Sequence, residues 1–232
     1  MKTLDLFEND TFEKVFLNTQ WPFDRMRVFD DFLAMMICSV TRNPFSGKSY
    51  YEEEYLRYIE PYAKLECRWQ FPKLFKVLTD QMTSLSEAGE NYDVLGKFYE
   101  KHLMPKSSNI FFTPWVICTF MARSSIFHDD EQDDKSKDIL DPACGSGRML
   151  MAATRVAKNP LHRYYGVDID PVCARMTALN LFLSGVFKGE VVCGDTLRPD
   201  GFRYGYRIYM NPIGIFKIDK VEKSACWMKM YG

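Results

Sequence analysis

The stretch Asp141-Pro142-Ala143-Cys144-Gly145-Ser146-Gly147 is the part of this 232-residue chain that most strongly indicates a fold. A short apolar run at residues 138–140 precedes it, and a run with helical spacing of apolar residues begins at Arg148. This order predicts a β-strand, a glycine turn and the start of a helix. Because glycine has no Cβ, such a turn lets backbone approach a ligand, and the helix N-terminus directs free N–H groups toward it. The stretch therefore predicts a ligand-binding loop.

Strand-like and helix-like segments alternate from residue 138 onward. We predict strands at residues 138–142, 164–168, 190–193 and 207–210, with helices at residues 148–157 and 171–184. This alternation is typical of a parallel sheet with helical crossovers. Residues 1–107 show helical apolar spacing instead. We therefore predict an α/β domain at residues 108–232 behind a helical N-terminal domain at residues 1–107.

The composition is that of an ordinary globular protein, with 47% hydrophobic and 26% charged residues. The longest apolar run, residues 32–38, is too short to cross a bilayer, and the first residues lack a signal peptide, so we expect a cytoplasmic protein. The seven cysteines form no C-x-x-C pair, which predicts neither a zinc site nor a disulfide framework, and no other metal site is predicted. The net charge of −1 means that contact with DNA would need a partner or a local basic patch.

Polar residues stand at the carboxyl ends of the predicted strands, where open parallel sheets bind their ligands. Asp168 ends the second strand, Asp195 follows the third, and Asn211 follows the fourth. A carboxylate after the second strand can accept hydrogen bonds from both ribose hydroxyls, and one after the third can accept from an adenine amino group. The glycine turn is neither G-x-G-x-x-G nor a P-loop, which disfavours a dinucleotide or nucleoside triphosphate. These residues predict a ligand that contains adenosine.

The chain resembles the amino-group DNA methyltransferases, and most closely the adenine-N6 type that includes the modification subunits of type I restriction systems. The resemblance covers about residues 91–214 and is carried by residues 93–100, 111–114, 141–147, 166–171 and 194–195. It implies a Rossmann-like S-adenosylmethionine-dependent methyltransferase fold with S-adenosylmethionine as cofactor. It also implies roles for particular residues. The cofactor's amino-acid end would be held by Thr113, Asp141, Pro142, Ala143, Cys144, Gly145 and Gly147. Asp168 would hold the ribose, Ile169 would pack on the adenine, and Asp195 would accept from its amino group.

The catalytic motif of this family is N/D-P-P-Y/F, and here it reads Asn211-Pro212-Ile213-Gly214. In the family, a side-chain oxygen and a backbone carbonyl bind the two hydrogens of the target amine, and the aromatic residue stacks on a flipped base. The resemblance therefore makes Asn211 and Pro212 the catalytic candidates. The second proline and the aromatic residue are missing. Because few residues follow Asn211, we expect an incomplete sheet and a domain shortened at its C-terminus.

The leading hypothesis is an adenine-N6 DNA methyltransferase, or a shortened member of that family, that acts on DNA with a specificity subunit or as a homo-oligomer. Two alternatives stay open. The chain could be a catalytically inactive cofactor-binding or regulatory fragment of a restriction-modification system, which the broken motif favours. It could also methylate the amide of a protein glutamine, since such enzymes use a similar N-P-P-Y motif.

Overall fold

The first part of the chain is helical, as predicted. The structure is a computed structural model that describes residues 10–105, 111–130, 136–210 and 213–232, the side chains of residues 126–130 excepted. Its first five helices are α1 (Phe12–Asn18), α2 (Arg25–Val40), α3 (Glu52–Ile59), α4 (Gln70–Glu87) and α5 (Val94–His102). Side chains cap three of them, because Thr11, Asp24 and Asp93 each accept a hydrogen bond from the first helical turn.

The α/β part contains the remaining helices and a five-stranded sheet. The helices are α6 (Trp115–Asp130), α7 (Arg148–Val156), α8 (Pro171–Leu183) and α9 (Ala225–Tyr231). The strands are β1 (Asp138–Asp141), β2 (Arg163–Asp168), β3 (Lys188–Gly194), β4 (Phe202–Met210) and β5 (Ile213–Ile218), in the spatial order β1-β2-β3-β4-β5. The predicted α/β fold class is confirmed, and residues 213–218 do form a strand.

The sheet is mixed, so the prediction of a wholly parallel sheet is wrong. Strands β1, β2 and β3 are parallel, whereas β4 runs antiparallel to β3 and β5 runs antiparallel to β4. The reason lies in the connection. Residues 195–201 join β3 to β4, and a crossover between parallel neighbours needs a dozen or more residues. Our prediction began this strand at residue 207, five residues too late, so the connection seemed long enough.

The two faces of the sheet are covered differently. Helices α2 and α8 pack on one face, in a core with Tyr164, Val191 and Ile208. The short helix α9 covers the other face, where Trp227 packs against Val192. Successive residues of β2 and β3 alternate between the two cores, as the two-residue period of a strand requires. The thick helical layer therefore lies on the face that carries α8.

One hydrophobic core joins the N-terminal helices to the α/β part. It contains Phe98 and Tyr99 of α5 together with Phe112, Leu150 of α7 and Leu179 of α8. The division at residues 107 and 108 falls outside the described residues, so the two-domain organisation stays a prediction. Within the part of the chain that the structure describes, no helix is both long and apolar enough to cross a membrane. The cytoplasmic location also stays a prediction.

Candidate functional site

The loop between β1 and α7 has a backbone conformation that depends on its two glycines. Gly145 and Gly147 have φ values of +55° and +81°, which disfavour residues with a Cβ. A Cβ on Gly145 would lie 2.8 Å from the ring of Phe112, and one on Gly147 would lie 2.9 Å from Cγ2 of Thr177. Backbone conformation and close packing together explain both glycines. The prediction of a glycine turn between a strand and a helix is confirmed.

Hydrogen bonds fix this loop against the end of β2. The N–H of Cys144 donates to the carbonyl of Val167 at 2.9 Å, and the N–H of Gly145 donates to Oδ2 of Asp168 at 2.8 Å. The other carboxylate oxygen of Asp168 accepts from the N–H of Asp170 at 2.9 Å. The structure thus brings the glycine turn and Asp168 into direct contact. Asp170 itself caps α8, as its position before Pro171 indicates.

Burial affects three ionisable groups at this end of the sheet. It raises the pKa of Asp168, although backbone N–H donors partly offset the effect. It also raises the pKa of Asp141, whose carboxylate accepts from the N–H of Ala143 at 3.1 Å. The thiol of Cys144 is buried and its pKa lies well above the ordinary value, so this residue packs rather than reacts.

A buried polar network lies behind the loop, and sequence reasoning missed it. Asp93 is fully buried and accepts from Oγ of Ser146 at 2.7 Å, Nε of Arg148 at 2.8 Å and Nδ2 of Asn180 at 3.0 Å. It also accepts from the N–H of Gly96 at 2.8 Å as the cap of α5. A sequence signal for Asp93 was present, because this aspartate stands at the start of a helix within segment 93–100, which carries the family resemblance.

A cavity of about 500 Å³ opens beside the loop. Phe112 and Thr113 line one side of it and residues 141–146 line another, with Met149 and Met121 beyond them. The carbonyl of Thr113 accepts from Nη1 of Arg148 at 3.2 Å. Helix α6 begins at Trp115, two residues after Thr113. Six of the predicted cofactor residues line this cavity: Thr113, Asp141, Pro142, Ala143, Cys144 and Gly145.

The other predicted cofactor residues do not line this cavity. Gly147 ends the glycine turn, Asp168 is the last residue of β2, and Ile169 follows it. Ile169 is 55% exposed, and its carbonyl accepts from Nη1 of Arg203 at 3.0 Å. Asp195 follows β3, and its Oδ1 accepts from the N–H of Leu197 at 3.0 Å. All of these residues lie at the edge of the sheet where β1, β2 and β3 end.

Residues 90–221 match the family model of the N-6 DNA methylases. The chain belongs to the N-6 DNA methylase family. Curated relatives include the methylase subunit of the type I restriction enzyme MpnII of Mycoplasma pneumoniae, 30% identical over 50% of this chain and 22% of the relative. The methylase subunit of MjaVIII of Methanocaldococcus jannaschii is 32% identical over 59% of this chain and 24% of the relative. The chain therefore spans about a quarter or less of the length of these relatives.

One solved structure is also similar. It is the methyltransferase subunit of a type I restriction-modification system from Streptococcus thermophilus, at 16% identity and a TM-score of 0.37, over 75% of this chain and 54% of that chain.

Among the described residues, no three His, Cys, Asp or Glu side chains are grouped so that they could hold a metal ion. The resemblance to the methylase family that we drew from the sequence is confirmed.

The family's catalytic motif follows β4, and Asn211 and Pro212 lie outside the described residues. Their neighbours are described: Met210 pairs with Ile213, and the N–H of Met210 donates to the carbonyl of Phe187 at 3.2 Å. Phe187 precedes β3, so Met210, the last residue of β4, lies at the edge where β3 begins. Over the seven residues of β3, that edge lies about 20 Å from the glycine turn's edge. Because Asn211 and Pro212 lie outside the described residues, their position and their catalytic role stay predictions.

Proposed function

We propose that this chain binds S-adenosylmethionine and forms the cofactor-binding part of an adenine-N6 DNA methyltransferase. The observation that carries the proposal is the hydrogen bond of 2.8 Å between the N–H of Gly145 and the carboxylate of Asp168. It places a turn suited to a charged amino-acid group beside an acid suited to ribose hydroxyls. Membership of the N-6 DNA methylase family supports the same ligand, because this family generally uses S-adenosylmethionine.

The residues around the cavity suit the different parts of this cofactor. The loop from Asp141 to Gly147 and Thr113 would hold its amino-acid end, since the cavity lies between them. Asp168 would accept from the ribose hydroxyls, because two N–H donors leave part of its acceptor capacity free. Ile169, with its exposed side chain, would pack on the adenine, and Asp195 would accept from the adenine amino group. When bound, the cofactor supplies an electrophilic sulfonium methyl group.

The proposed substrate is the exocyclic amine of an adenine in DNA. Asn211 and the backbone at Pro212 would bind the two hydrogens of this amine and orient its nitrogen toward the methyl group that the cofactor would supply. Because the relatives are subunits of type I restriction enzymes, we also propose that DNA recognition involves a partner subunit or a second copy of this chain.

The antiparallel direction of β4 favours a second candidate. Reacting atoms must approach within about 3–3.5 Å, whereas Met210, at the end of β4, lies about 20 Å from the edge that carries Asp168. In the second candidate the chain binds the cofactor, and the acceptor for the target amine comes from another polypeptide. Both candidates require the same cofactor site, and they differ in the role of Asn211.

Calorimetric titration with S-adenosylhomocysteine tests the cofactor site. We expect the chain to bind, and Asp168→Asn to weaken binding by about tenfold because one charge-assisted acceptor is lost. Asp219→Asn is the matched control, since Asp219 is an exposed acid that pairs with Lys223 away from the loop. Absence of binding by the unaltered chain would refute the proposal.

Transfer of a labelled methyl group to unmethylated DNA separates the candidates. Loss of transfer in both Asp168→Asn and Asn211→Ala would support an enzyme that uses its own motif. Transfer that needs a partner subunit and persists in Asn211→Ala would support the second candidate. Labelling of a glutamine-containing peptide, with none of DNA, would favour the protein-glutamine alternative and refute adenine as substrate.

A further inference from the structure

Arg148 occupies an unusual position for a cation. It is the first residue of α7, where the positive end of the helix dipole disfavours a positive charge. It is also only 5% exposed, so water does not solvate its guanidinium. Burial alone would lower its pKa, but the carboxylates of Asp93 and Glu100 outweigh this effect and raise the pKa above the ordinary value. Asp93 and Glu100 therefore stabilise the charged form of Arg148 in this buried position.

The guanidinium of Arg148 joins three separate segments. Its Nε donates to Asp93 at 2.8 Å, its Nη2 donates to Glu100 at 3.3 Å, and its Nη1 donates to the carbonyl of Thr113 at 3.2 Å. Asp93 caps the N-terminus of α5, Glu100 lies near the C-terminal end of the same helix, and Thr113 precedes α6. Arg148 itself begins the helix that follows the glycine loop. One planar group thus connects α5, the segment before α6 and the loop.

The segment before α6 also touches the loop directly. The ring of Phe112 lies 5.5 Å from the guanidinium carbon of Arg148, and it fills the space where a Cβ of Gly145 would be. Phe112, Thr113 and Gly145 all line the cavity beside the loop. The hydrogen bond from Arg148 to Thr113 therefore sets how far this segment stands from the glycine turn.

We propose that Arg148 is a positioning residue that sets the width of the cavity where the amino-acid end of the cofactor binds. This inference rests on the proposed function. Arg148 also lines the cavity, but each of its three nitrogens donates to a protein group, so it acts by holding Thr113 and the loop. Replacement of Arg148 should therefore weaken the binding of ligands that carry the amino-acid end and leave the binding of ligands that lack it unchanged.

The test compares S-adenosylhomocysteine with adenosine, which lacks the amino-acid end, by calorimetric titration of the full chain. Arg148→Lys keeps the charge, but a single ammonium cannot reach all three partners in the planar arrangement of a guanidinium. We expect its Kd for S-adenosylhomocysteine to rise by about tenfold and its Kd for adenosine to change by less than about twofold.

Two further variants make the result specific. Arg175→Lys is the matched control, since Arg175 forms a largely buried ion pair with Asp30 between α8 and α2, away from the cavity. It should lower thermal stability without changing the ratio of the two Kd values. Glu100→Gln alters a half-exposed partner of Arg148 that tolerates substitution, and it should shift the ratio in the same direction by about threefold.

Three results would overturn the inference. An equal loss of affinity for both ligands would show that Arg148 has only a general structural role. Unchanged affinity of both Arg148→Lys and Glu100→Gln for S-adenosylhomocysteine would show that the cavity does not depend on this group. Failure of the unaltered chain to bind S-adenosylhomocysteine would overturn the proposed function and this inference together.

Discussion

Replacement of Gly147 by alanine tests the steric account of the loop. Two costs add at this position. The φ of +81° places an L-residue in the left-handed region, which costs about 1–2 kcal/mol. The new Cβ would also lie 2.9 Å from Cγ2 and 3.3 Å from the backbone Cα of Thr177, and overpacking of this kind costs about 1–3 kcal/mol. We expect Gly147→Ala to lower the free energy of unfolding by about 3 kcal/mol, and Tm by about 6–12 °C.

Gly185→Ala supplies a matched control for this prediction. Gly185 has a similar φ of +76°, but its Cβ would meet no atom within 4 Å. It should therefore lose only the backbone cost of about 1–2 kcal/mol. Thr177→Ser removes the contacting methyl group and keeps the hydroxyl that bonds Gly145, so it should recover part of the loss in the double variant. Equal destabilisation by the two glycine variants in chemical denaturation, with no recovery, would refute the reasoning.

Three further predictions concern the rest of the site and sheet. Glu190 is 2% exposed and accepts hydrogen bonds from the start of α9, so Glu190→Ala should lower the free energy of unfolding by about 3–5 kcal/mol in a denaturant titration. Glu222 is exposed, so Glu222→Ala should change the same free energy by no more than about 0.5 kcal/mol. Burial raises the pKa of Asp168, so affinity for S-adenosylhomocysteine should be full above that pKa and should fall as the pH drops through it. The fall should begin at a higher pH than the titration of a free aspartate. A binding titration in which Asp168→Asn shows the same pH dependence as the unaltered chain would contradict this prediction. Spin labels on Leu197→Cys and Ile213→Cys should lie about 25–30 Å apart, because eight residue steps of β4 separate the two edges. The seven native cysteines are buried, so they should not take up the label. A separation near 10 Å would contradict the antiparallel direction of β4.

The sequence predicted the first half of the α/β part well because its signals are local. The run 141–147 carries its own strand end, glycine turn and helix start, and the structure contains each of them. Asp168 could be placed beside this turn because parallel neighbouring strands end at one edge. Likewise, Asp170 before Pro171 is a local helix-start signal, and its side chain does cap α8.

The direction of β4 was not predicted because its first half gives a weak strand signal. Arg203 and Gly205 interrupt the apolar pattern, so the strand seemed to begin at residue 207. The true start at Phe202 leaves only residues 195–201 for the connection, and this length requires an antiparallel neighbour. A shift of five residues in one boundary therefore changed the direction of β4 relative to β3.

The sequence by itself determined the glycine loop, the acids that follow β2 and β3, and the membership of the methylase family, because these depend on residues close together in the chain. Only the tertiary structure decided how the loop is supported and where the last strands lie. Asp93 meets Ser146, Arg148 and Asn180 across separations of more than 50 residues, and no periodicity in the sequence records such contacts. The partners of a buried charge come from distant parts of the chain, so only the folded structure shows which residues support the loop.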